Sequence, residues 1–105
     1  MNSERLKQLR KFAEEEPGDP FNWYAMALEY LHSDPAEARI LLDKLLNEFE
    51  DYLPTYFVAA TQWVEQGNIE IAARIFRKGI EVARQQGDTK TAGELRSGLD
   101  DILFE

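Results

Sequence analysis

The chain contains no cysteine and a single histidine, His32. The first absence excludes disulfides and every thiolate metal site, and it suits a reducing compartment. With one imidazole and no thiol, a zinc site is not expected. No run approaches the ~20 consecutive apolar residues that cross a bilayer, and the start, Met1-Asn2-Ser3-Glu4-Arg5, has no apolar signal core. These absences set the expectation of a cytoplasmic protein with no membrane partner. Positive charge is scarce too: 12 Lys and Arg face 20 Asp and Glu, a net charge of −8. Polyanionic backbones and anionic lipid surfaces repel such a chain unless its bases are segregated on one face, so no nucleic-acid partner is expected. There is no glycine-rich phosphate loop, no nucleophile–base pair at useful spacing and no metal motif. Glu14-Glu15-Glu16 and Asp100-Asp101 lack the alternating oxygen ligands and central glycine of a calcium loop. Neither an enzyme nor a bound cofactor or metal is expected.

What the 105 residues do contain is a hydrophobic share of 44% beside a charged share of 30%, which argues for one folded domain and against disorder. The apolar spacing is helical throughout, and no segment shows the period-two alternation of a half-buried strand. The few glycines and prolines fall between periodic stretches. Six helices follow, over about residues 3–16, 20–32, 35–49, 54–66, 69–86 and 89–103. Ser3, Asp19, Asp34 and Asn68 are the expected N-caps, with Pro20 and Pro35 at the first helical position and Glu37 completing a capping box. Leu6, Leu9, Phe12 and Ala13 form one stripe on the first helix; Ala92, Leu95, Leu99 and Ile102 form one on the last.

The chain also says much the same thing twice. Trp23, Met26, Ala27 and Tyr30 recur as Tyr56, Ala59, Ala60 and Trp63, at a spacing of 33. Ala38 and Leu42 recur as Ala72 and Phe76, at 34. The slip lies in the turn: Tyr30 to Ala38 is 8 residues, whereas Trp63 to Ala72 is 9. A fixed period of this size marks a stacked repeat.

These residues resemble the tetratricopeptide repeat pattern W-x2-L-G-x2-Y…A-x3-F…P. Leu45 and Gly79 complete the two matched sets. The pattern departs at the closing proline, replaced by Glu50 or Asp51 in one repeat and Arg84 in the other, and at the last helix. The resemblance implies an all-α, right-handed superhelical array of antiparallel helix hairpins. It divides the single domain into an N-terminal half-repeat helix (1–17), two repeats (20–52 and 53–86) and a capping helix (88–105). It further implies a non-catalytic adaptor whose concave groove, lined by the first helix of each repeat, takes a peptide.

Helices two and four are apolar nearly all round, which asks for cover on every side. Beside the repeat positions they carry a second stripe: Tyr24, Leu28 and Leu31, then Phe57, Thr61 and Val64. All twelve bases lie on the other four helices, and Glu29 and Glu65 are the only charges on these two. One subclass of the family grips acidic tails with basic groove residues; Tyr24, Leu28, Phe57 and Thr61 stand at the comparable places, so that clamp is not expected. Three occupants of the stripe remain open: an apolar or basic segment of a protein partner, a second copy in a homodimer, or the chain's own core. The bases of helix one (Arg5, Lys7, Arg10, Lys11) and helix five (Arg74, Arg77, Lys78, Arg84) are expected to be solvated or salt-bridged.

Overall fold

The computed structural model describes residues 3–104, and every regular element among them is an α-helix. In chain order these are α1 (Ser3–Glu15), α2 (Pro20–Ser33), α3 (Pro35–Glu48), α4 (Pro54–Glu65), α5 (Ile69–Gln85) and α6 (Thr89–Leu103). They divide between two compact units, with the chain boundary between Tyr52 and Leu53. The first holds α1 to α3 and the second α4 to α6.

Cap chemistry inside short windows sets most boundaries. The Asp19 carboxylate accepts from the Phe21 N–H at 3.0 Å, that of Asp34 from Glu37 at 3.3 Å and that of Asp88 from Thr91 at 3.0 Å. The Asn68 side-chain oxygen accepts from Ile71 at 3.1 Å. Each satisfies a backbone donor that a helix start leaves without an intrahelical partner. Helix α4 is the exception: Leu53 precedes Pro54 in helical conformation and makes no side-chain cap. Ser3 is a correction. It lies inside the first turn of α1, so the cap position falls outside the described residues.

Helices α5 and α6 are reached through two matching turns. Gly67 and Gly87 take left-handed φ values of 80° and 74°. The Gly67 N–H bonds to the Val64 carbonyl and the Asn68 N–H to that of Trp63, both at 2.9 Å. Gly87 and Asp88 repeat the pattern on Arg84 and Ala83 at 3.0 and 2.9 Å. These are Schellman turns, which need a residue without Cβ strain at the left-handed position. Between α2 and α3 the device is shorter. Asp34 alone closes one helix, its N–H bonding the Tyr30 carbonyl at 2.8 Å, and caps the next.

In the first unit α2 packs against both α1 and α3. Leu6, Leu9, Ala13, Met26, Ala27, Ala38, Leu42 and Leu45 are buried there. Phe12, expected on the α1 stripe, is 50% exposed, because it lies at the edge of a stripe whose centre is Leu9 and Ala13. In the second unit α5 packs against α4 and α6, burying Tyr56, Ala59, Ala60, Ala72, Phe76, Leu95 and Leu99.

The two repeats fill one position in opposite ways. Gly79 leaves room for Tyr56, which is 1% exposed. In the first unit the matching positions are Leu45, fully buried, and Trp23, half-buried. The Trp23 indole N–H donates to the Pro17 carbonyl at 3.1 Å, and the Lys44 ammonium lies 4.9 Å from a ring centroid.

Candidate interaction surfaces

Phe21, Tyr24, Ala25 and Leu28 fall on one face of α2 by helical spacing, and together they line an open cavity of about 470 Å³. Phe21 is 57% exposed and Leu28 40%, whereas Ala25 is buried. Tyr24 is half-buried because the Tyr52 ring meets it edge-on, with centroids 5.6 Å apart and planes at 69°. Burial, and secondarily Tyr52, pushes the Tyr24 phenol above its ordinary pKa. His32 and Ser33 stand at the C-terminal end of the cavity, both exposed.

Charge enters this face from a neighbouring helix. Arg5 of α1 pairs with Glu29, so the acid that gives α2 its negative character is engaged within the unit. The Arg10 guanidinium also reaches across, donating to the Tyr30 hydroxyl at 3.2 Å. Leu31 is half-buried and does not line the cavity.

In the second unit Phe57 is 46% exposed. One face of its environment is already built: Phe76 meets it edge-to-face at 5.7 Å, and Gly98 of α6 comes close enough that a Cβ there would lie 3.4 Å from its ring. The Thr61 hydroxyl donates back to the Phe57 carbonyl at 2.8 Å, which spends its donor inside the helix. Val64 is half-buried.

Three of the six stripe residues thus lie in each unit, and Tyr24 and Leu28 are drawn to one cavity. Phe21 joins them although the sequence reading passed over it; the signal was its spacing of 3 and 7 residues from Tyr24 and Leu28. Arg5 and Tyr52 carried no local signal, since each meets α2 only through the fold. Among the described residues no helix is long and apolar enough to cross a membrane, and no three acidic or histidine side chains group to hold a metal.

Two solved structures of a tetratricopeptide repeat domain protein from Salinibacter ruber are similar to this chain. The solution NMR structure aligns with a TM-score of 0.80 at 32% identity, over 86% of this chain and 93% of the other. The crystal structure aligns at 0.75 and 32%, over 80% and 96%. No family model matches the chain, and no curated protein does.

Proposed function

This chain belongs to the tetratricopeptide repeat family, and from that premise we propose that it is a non-catalytic adaptor that docks an apolar segment of a partner protein on the exposed face of α2. The observation that carries this reading is the pair Phe21 and Leu28, exposed on either side of Tyr24 around one cavity. A large apolar side chain seated there would remove both from water, at roughly 25 cal/mol per Å² of apolar area. Phe57, Thr61 and Val64 of α4 are the second unit's surface for the same kind of contact. Basic flanks on the bound segment are favoured by the net charge of −8, as a long-range, salt-sensitive effect. A cytoplasmic setting fits the absence of cysteine.

Leu28→Asp is the cleanest test, because Tyr24 and Phe57 also pack internally. Labelled 15-residue peptides with leucines at helical spacing and lysine or glutamate flanks are titrated with wild type and variant, and binding is followed by anisotropy. Lysine-flanked peptides should bind wild type best, and Leu28→Asp should weaken them at least about tenfold. Sedimentation over a range of concentrations runs alongside. A wild-type dimer that Leu28→Asp dissociates, with no peptide bound, overturns peptide docking and assigns the face to a second copy.

A further inference from the structure

Three arginines of the second unit converge on a cavity that the function above does not use. Arg77 and Arg84 lie seven residues apart on α5, hence on one face and about 10 Å apart along the helix. Arg96 joins them from α6. The cavity, of about 430 Å³, has the buried Ile80 and Leu99 in its wall, and Glu81 is the acid that lines it. Intrahelical partners stand at the right spacing: Glu81 is four residues after Arg77 and three before Arg84, and Asp100 is four after Arg96. None of these pairs forms. Among the described residues the three exposed guanidinium groups make no ion pair and no side-chain hydrogen bond.

We propose that this cavity binds an acidic segment of a partner protein, an extended stretch with carboxylates about three residues apart and an apolar side chain between them. An extended chain of polyproline-II type advances about 3.1 Å per residue and turns once in three, so carboxylates at that spacing share one face and match the separation of Arg77 and Arg84. Guanidinium groups take carboxylates in a planar, two-pronged geometry. Ile80 and Leu99 give the intervening side chain an apolar seat. The local excess is two positive charges, three arginines against Glu81, set in a chain of net charge −8. A short segment feels the local excess most strongly, because the pull of more distant charges is attenuated beyond about 8 Å at physiological salt. A long polyanion meets the acids around it as well, which disfavours nucleic acid.

The test uses the full chain and a labelled decapeptide with glutamate at every third position and leucine between. Comparison probes are its leucine-to-serine counterpart, a lysine-for-glutamate counterpart, inorganic phosphate and a 20-nucleotide single strand. The glutamate–leucine peptide should bind best and weaken with salt. Arg77→Gln/Arg84→Gln should weaken it about tenfold or more, whereas Lys7→Gln/Lys11→Gln, the same charge change in the first unit, should leave it nearly unchanged. Leu28→Asp should also leave it unchanged, which separates this site from the α2 face. Equal binding of the lysine peptide, equal loss in the two double variants, or tighter capture of phosphate or the single strand each overturns the proposal.

Discussion

A Cβ added at Gly79 would lie 2.8 Å from the Cβ of Tyr56, inside any allowed carbon–carbon contact. Tyr56 is 1% exposed and has nowhere to withdraw, and Leu95 closes the other side at 3.0 Å. Gly79→Ala gains about 1 kcal/mol of helix propensity but overpacks the core, typically at roughly 1–3 kcal/mol. The steric effect should win, lowering the urea midpoint. Gly93 provides the contrast, since its Cβ would meet nothing within 4 Å. Gly93→Ala should raise stability by about 0.5–1 kcal/mol.

The hydroxyl of Thr55 is fully buried and has no hydrogen-bond partner. Replacing it by a group of the same shape removes a desolvation cost without opening a cavity. Thr55→Val should therefore stabilise the fold by about 1 kcal/mol, seen as a higher urea midpoint with an unchanged slope.

Asp88 caps α6 through two acceptor contacts, from the Thr91 N–H at 3.0 Å and the Thr91 hydroxyl at 2.7 Å. These bonds, the backbone one first, hold its carboxyl below the ordinary value. A folded-state pKa below the unfolded one adds stability that is fully present above the unfolded value and lost as pH falls through the folded one. Asp88→Asn keeps an acceptor but cannot titrate. Its melting temperature should fall less steeply than that of wild type below about pH 4. Asp43, whose pKa burial raises, is common to both chains and cancels in the comparison.

Arg5 and Glu29 join α1 to α2, with side chains 53% and 23% exposed. A double-mutant cycle on the pair should give a coupling below about 1 kcal/mol. The binding readout should be larger. Arg5→Ala uncovers the Glu29 charge beside the α2 cavity, so it should sharpen the preference for lysine-flanked peptides.

The helix starts were legible because their chemistry is local. Asp19, Asp34 and Asn68 each act within three residues, and proline or glycine beside them points the same way. The repeat positions were legible because duplication displays them twice. What escaped depends on contacts between helices. Nothing near Arg5 announces Glu29, 24 residues away, and nothing near Tyr24 announces Tyr52. Phe12 has the spacing of a core residue and lies at the edge because the turn of α1 toward α2 is a tertiary matter. The same limit hid the arginine cavity. Arg77 and Arg84 were visible as bases, but their lack of partners and the arrival of Arg96 from α6 belong to the folded chain.

Asp34 ends one helix and starts another, whereas the second repeat divides that work between Gly67 and Asn68. The whole length difference between the repeats is then one codon, and it has a fixed address. Inserting a glycine between Ser33 and Asp34 would give the first repeat the period of the second, with each helix face still in phase. The same insertion inside α2 or α3 would turn every later side chain of that helix by about 100°. The gene can lengthen there one residue at a time, and nowhere within the helices, without rewriting the core.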